Sequence, residues 1–234
     1  MKLLVIDTST EWCSAALWLD GRILARRVLA EQRHSSLLLP MVDELLRQSA
    51  LSLRQLDGIG YGAGPGSFTG LRIACAVTQG LALGADLPVV GVSTLESIAE
   101  QTRSEQTSPE HVLAVLDARM AEVYWAAYQR IGAGWRCITE PALALPESVS
   151  VPEGGDWMGA GNGFVALGEV LRPRLTAQLT GIDDTLMPDA AAMAGLAAQA
   201  FERGEGMDAA LAAPIYLRDK VALTIDERRA KKSA

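Results

Sequence analysis

The chain has 234 residues, 49% of them hydrophobic and 21% charged, which argues against a disordered polymer and allows two packed domains of about 100–130 residues each. A net charge of −7 argues against a broad cationic surface for nucleic acid. The three cysteines, Cys13, Cys75 and Cys137, stand far apart in apolar runs without the spacing of a metal knuckle, and read as buried free thiols in a reducing compartment.

"KLLVID", "CSAALWL" and "RILARRVLA" read as three successive strands, the last two joined by Asp20-Gly21, a strong hairpin turn. No secretory signal precedes Asp7. A helix is expected over 33–49, a strand in "LDGIGYG", a glycine-rich loop, then a helix over 70–84 and a strand in "PVVGV". The most apolar long window, 71–92, is interrupted by Arg72, Gln79, Asp86 and Pro88, so a cytoplasmic protein without a membrane span is expected. Thr94 is placed to cap the next helix, with Glu96 in its first turn.

The polar stretch "TRSEQTSPE" suggests a boundary, with domains at 1–103 and 104–234. Beyond it "VLAVLDARMAEVYWAAYQ" repeats the plan of "LLVIDTSTEWCSAALWL": apolar strand, Asp, short turn, Glu, apolar strand. Asp7 and Asp117 are thus related by a faint internal repeat. "DAAAMAGLAAQAFERG" reads as a helix with an Asp N-cap and a Gly stop, one that can pack back on the first domain. The tail 219–234, with Arg228, Arg229, Lys231 and Lys232, reads as solvated and mobile. A meander followed by alternating helix and strand, given twice, points to an α/β fold of the duplicated ribonuclease-H-like kind, the bilobal architecture of actin, sugar kinases and Hsp70.

Candidate chemistry is sparse. Asp7, Thr8, Ser9 and Thr10 end the first strand in a turn that can meet a phosphate. An Asx/ST turn satisfying its own backbone explains the same residues. The mirror turn, Asp117, Ala118, Arg119 and Met120, has no glycine or hydroxyl. "GAGPGSFTG" lacks the Gly-Lys-Ser/Thr of a Walker A loop, so any anion must be held by backbone N–H groups and the following helix. Asp7, Ser9, Gly64, Gly66 and Ser67 are the candidate phosphate contacts, with Ser67 or Thr69 capping the helix. Of the carboxylates, Asp7, Asp117 and Glu122 are well placed, and capping explains them equally. His34 and His111, the only histidines, have no metal-ligand spacing.

Leu37, Leu38, Leu39, Met41, Val42, Leu45 and Leu46 cover an arc of roughly 200° on the 33–49 helix at about 100° per residue. Packing on one sheet needs a stripe only somewhat wider than ~100°. Either the helix is sunk into its own domain, or the excess, with the small residues of helix 70–84, marks a helix-on-helix interface. On the second reading, Leu38→Glu or Met41→Glu breaks assembly without unfolding the subunit.

"LLVIDTSTEWCSAAL", "GYGAGPGSFTGLRIACAVTQGLA", "VVGVSTLESIA", "VLDARMAEVYWA" and "PIYLR" together resemble the TsaB (YeaZ) family through nearly the whole chain. The resemblance implies the bilobal actin-like fold and a role in forming N6-threonylcarbamoyladenosine at position 37 of ANN-reading tRNAs. Members are regarded as non-catalytic partners of the paralogous enzyme TsaD, in a complex with the ATPase TsaE. It implies that the first two helices pack against those of TsaD, or of a second copy when TsaD is absent. Leu37, Leu38, Met41, Val42, Leu45, Ile73, Ala76 and Val77 are the expected contacts. TsaD carries an H-x-E-G-H-like metal motif where this chain has Thr94 and Ile98, and neither can replace an imidazole. No catalytic residue, metal or resident cofactor is therefore expected, with ATP or ADP confined to a composite surface with the partner, and tRNA touched only indirectly. The alternatives are an actin-like ATPase or small-molecule kinase, and a metallopeptidase.

Overall fold

The computed structural model describes residues 1–103 and 108–218. Residues 104–107 of the polar boundary stretch, and the whole charged tail 219–234, lie outside the described residues. β1 (Lys2–Asp7), β2 (Trp12–Leu19) and β3 (Arg22–Leu29) form an antiparallel meander. Asp20 and Gly21 turn it at φ 51° and 94°, the left-handed pair a two-residue hairpin needs. Then come α1 (His34–Gln48), β4 (Gly58–Gly64), α2 (Phe68–Ala85) and β5 (Val89–Ser93), and the first sheet is ordered β3-β2-β1-β4-β5.

After α3 (Thr94–Gln101) the plan repeats. β6 (His111–Asp117), β7 (Val123–Ile131) and β8 (Gly134–Ala144) make a second meander. β9 (Trp157–Ala160), α4 (Gly163–Ala166), α5 (Gly168–Leu175), β10 (Leu179–Asp183) and α6 (Ala190–Glu202) complete the fold. The second sheet runs β8-β7-β6-β9-β10, the same order as the first. In both, the fourth strand pairs parallel to the first.

Strand alternation distributes the core. Leu4 and Ile6 of β1 face α1 and α2, whereas Leu3 and Val5 face Met193, Ala194 and Ala197 of α6. In the second sheet Leu113 and Val115 face Phe164, Leu171 and Leu175 of α4 and α5. Val112, Ala114 and Leu116 face Leu95, Ile98 and Ala99 of α3. Each repeat thus ends in a helix that covers the sheet of the other, and α3 and α6 touch between the sheets. Asp189 caps α6 by accepting from the Ala191 N–H at 2.7 Å, and the Ala190 N–H donates to Ser14 Oγ of β2 at 2.9 Å, which fixes where the returning helix begins.

Two local expectations need correction. Ser93, not Thr94, caps α3: its hydroxyl accepts from the Glu96 N–H, while Thr94 Oγ1 donates to the Pro65 carbonyl at 2.5 Å. The wide apolar arc of α1 is filled within the subunit, because α1 lies against β2, β3 and the flank of α2 at once. Leu38, Met41, Val42 and Leu45 are buried there and Leu37 and Leu46 partly so, leaving Leu39 at 48% exposure. Leu38→Glu or Met41→Glu would bury an unpaired charge and unfold the subunit rather than spare it. Leu38→Ala is expected to cost about 2–5 kcal/mol in urea melts. Leu39→Ala should stay within about 0.5 kcal/mol of wild type, despite lying one residue away.

Candidate functional site

A cleft of about 800 Å³ opens between the lobes. The turn after β1 and the loop 66–70 line it from the first lobe, and the turn after β6 with Asn162 from the second. Ile215, Tyr216, Leu217 and Arg218 complete its wall.

Asp7 is fully buried and does not line the cleft. Its carboxylate accepts from the Ser9 N–H at 3.3 Å and from Ser9 Oγ at 3.1 Å, a closed Asx/ST turn. Desolvation raises its pKa from 3.8 to about 7, against the lowering effect of the Ser9 bonds. The expected phosphate contact at Asp7 is therefore corrected: this carboxyl is sealed under its own turn.

The glycine loop is shaped by close backbone approach. A Cβ on Gly66 would stand 2.5 Å from the Ser9 carbonyl oxygen, and one on Gly70 only 1.8 Å from that of Thr8. Gly64, at φ +125°, would press on the Ile215 carbonyl at 2.7 Å. Two of the loop's N–H donors are bonded within the lobe. The Ser67 N–H donates to Ser9 O at 2.7 Å, and the Gly70 N–H to Ser67 Oγ at 3.3 Å, which caps α2. Thr8 Oγ1 donates to Gly70 O at 2.6 Å. Ser9 and Ser67 line the cleft already bonded to each other, Gly66 lines it through its backbone alone, and Gly64 is set back from it.

The mirror turn is held differently. Arg119, Met120 and Ala121 take φ of 62°, 57° and 60° without a glycine among them, at roughly 1–2 kcal/mol per residue. Asp117 accepts from the Arg119 N–H at 2.8 Å and pairs with its guanidinium at 2.9 Å. Arg218 pairs with Glu122 at 2.6 Å and donates to the Ala118 carbonyl at 3.1 Å. Sequence reasoning left this arginine inside the family stretch "PIYLR" with no task. Its only local signal was a cation following an aromatic in a segment without helix or strand pattern.

The positions where a metal motif was sought are structural. Thr94 is buried on its bond to Pro65, and Ile98 is fully buried between the lobes. Among the described residues, no three His, Cys, Asp or Glu side chains converge as metal ligands. His34 Nε2 bonds to the Thr10 carbonyl at 2.8 Å, which ties α1 to the first turn.

A second surface lies on α2. Leu71, Ala74, Cys75, Thr78 and Ala82 are buried. Ala76, Gly80, Leu83 and Gly84 are exposed, with Ile73 and Val77 partly so. Of the expected interface residues, Ile73, Ala76 and Val77 thus lie on one outward stripe, whereas Leu38, Met41, Val42 and Leu45 belong to the core. By length and composition alone α2 could cross a membrane; one of its faces is built into the first lobe.

The chain matches the family model for TsaD, tRNA N6-adenosine threonylcarbamoyltransferase, over residues 27–224. It is 42% identical over 226 residues to the tRNA threonylcarbamoyladenosine biosynthesis protein TsaB of Escherichia coli (strain K12), covering 95% of this chain and 96% of that protein. This chain belongs to the TsaB (YeaZ) family. The TsaB of Haemophilus influenzae is 36% identical over 230 residues, covering 94% and 95% of the two chains. The solved structure of YeaZ from Pseudomonas aeruginosa superposes with a TM-score of 0.83 at 41% identity, over 92% of this chain and 99% of that one. The TsaB fold seen here is the duplicated ribonuclease-H-like one.

An unfolded Asp7 ionises near pH 3.8 while the native one holds its proton to about pH 7. Asp7 therefore lowers stability progressively as pH rises from about 4 to 7 and has no further effect above. Glu96, raised by burial to about 7, acts in the same direction. Asp7→Asn should reduce the pH dependence, leaving the part due to Glu96, and gain up to roughly 4 kcal/mol at pH 8, at 1.36 kcal/mol per pKa unit, as read by guanidinium denaturation. Gly70→Ala should cost about 3 kcal/mol or more, by its clash with Thr8 O. Gly80→Ala, whose Cβ meets nothing within 4 Å, should gain about 0.5–1 kcal/mol in thermal melts.

Proposed function

We propose that this chain is a non-catalytic scaffold subunit in the formation of N6-threonylcarbamoyladenosine at position 37 of tRNAs, in the cytoplasm. It docks a TsaD-type catalytic paralogue through the exposed stripe of α2, works beside a TsaE-type ATPase, and pairs with a second copy of itself when the paralogue is absent. The observation that carries the reading is the likeness to E. coli TsaB over 95% of the chain.

The geometry supports scaffold over enzyme. Asp7 is sealed, the glycine loop bonds to its own lobe, and Thr94 and Ile98 are closed into the core. ATP or ADP is then contacted at a surface shared with the partner, and tRNA reaches this subunit only through the complex. Small residues on α2 let a partner helix approach closely, since interaxial distance follows the side chains at the contact.

Reconstitution with the paralogue, the ATPase, a threonylcarbamoyl donor and tRNA tests this, with modified adenosine as the readout. Omitting the chain should abolish product. Ala76→Arg should weaken partner binding by at least about tenfold, or 1.4 kcal/mol, with an unchanged melting temperature. Asp7→Asn should leave product formation intact. ATP turnover by the isolated chain, lost in Asp7→Asn, would overturn the scaffold reading in favour of an ATPase.

A further inference from the structure

We infer that the segment 212–218 is a latch that couples the exposed face of α2 in the first lobe to the turn 117–122 in the second. The inference deepens the proposed function and rests on its docking role for α2: a partner seated there acts, through the latch, on the far wall of the cleft.

The segment has no regular structure, so specific contacts place it. Its first part is bonded into the first lobe. Ala212 O accepts from Gln79 Nε2 at 3.1 Å and from the Cys75 thiol at 3.4 Å. The Tyr61 hydroxyl accepts from the Ala213 N–H at 3.0 Å and donates to its carbonyl at 3.1 Å. The Ile215 N–H donates to Ala63 O at 2.7 Å, at the end of β4.

Its middle joins the first turn of α2. Arg72 Nε donates to the Tyr216 hydroxyl at 2.9 Å. The Arg72 guanidinium lies 3.8 Å from the Phe68 ring centre, and the Phe68 and Tyr216 rings are 5.3 Å apart. This stack is held together by cation–π attraction on the outward side of α2, directly before Ile73 and Ala76.

Its end crosses to the second lobe. The Arg218 side chain is only 13% exposed. It pairs with Glu122 and donates to the carbonyls of Ala118 and Arg119 at 3.1 and 3.4 Å. One guanidinium therefore gathers two carbonyls and a carboxylate of a turn that runs through three left-handed residues. Those residues have no glycine to make the conformation easy, so the turn depends on what grips it. A single residue, Leu217, separates that grip from Tyr216. A partner helix over Arg72 fixes Tyr216, keeps Arg218 in place, and favours the held form of the turn.

Hydrogen exchange measured by mass spectrometry on the full chain, without any partner, tests the latch. The Ala118 and Glu122 amides are the reporters, because they bond to Glu122 O and Arg119 O across the turn. Arg218→Met should speed their exchange roughly tenfold, the loss of one charge-assisted grip. Arg218→Lys should restore part of it, keeping charge without the fork. Arg72→Ala should speed the same amides about threefold through the lost Tyr216 bond, although Arg72 bonds to nothing in that turn. Amides of β1 and α6 should exchange as in wild type in all three, showing an intact fold. Wild-type exchange of the turn in Arg218→Met overturns the latch. Fast exchange in Arg218→Met with wild-type exchange in Arg72→Ala overturns the coupling. Because no partner is present, loss of docking in Ala76→Arg leaves these rates untouched, and the two readings fail separately.

Discussion

Mutual coverage of the two sheets by α3 and α6 is the constraint on which the rest of the molecule depends. A sheet with one bare apolar face is not stable in water, and neither repeat carries enough helix after its own strands to cover both faces. The chain solves this by crossing over. α3 leaves β5 and lies on the second sheet; α6 leaves β10 and lies on the first. The two helices meet between the lobes, each packed into the core of the other repeat's sheet. The cleft walls then hold their relation because the layer beneath them is shared.

Within that frame, polar groups that could face a ligand are largely turned toward each other. Ser9 serves both Asp7 and Ser67, Thr8 serves Gly70, and Asn162 Oδ1 accepts from the Asp117 N–H at 2.9 Å. These bonds tie the loop to the first turn and fix where α2 begins.

Much of this was legible in the sequence wherever the cause is local. The Asp20-Gly21 turn, the Asp189 cap and the alternation of "KLLVID" each state their conformation within a few residues. The repeat of Asp7 at Asp117 gave the duplication, since strand, acid and turn recur in order. What failed needed knowledge of neighbours. The arc on α1 was measured correctly, yet its width reflects α2 at its flank, and periodicity cannot distinguish an internal neighbour from a foreign one. The choice between Ser93 and Thr94 turned on Pro65, a residue far away in sequence. The glycines of the loop announced freedom, while only the structure shows that the Thr8 and Ser9 carbonyls occupy the space. The left-handed run Arg119, Met120, Ala121 carries no composition signal at all, because its cause lies at Arg218.

The crossing of α6 also dictates an order of events at the ribosome. The first sheet is complete once β5 has emerged, but its inner face waits for a helix encoded roughly 100 residues later, an interval of about 5–20 s at ordinary elongation rates. During that time Leu3, Val5 and Val90, all buried in the finished protein, face water on the nascent chain. Translation speed across the second repeat, and the chaperones that shield such a surface, therefore bear on how much of this polypeptide matures.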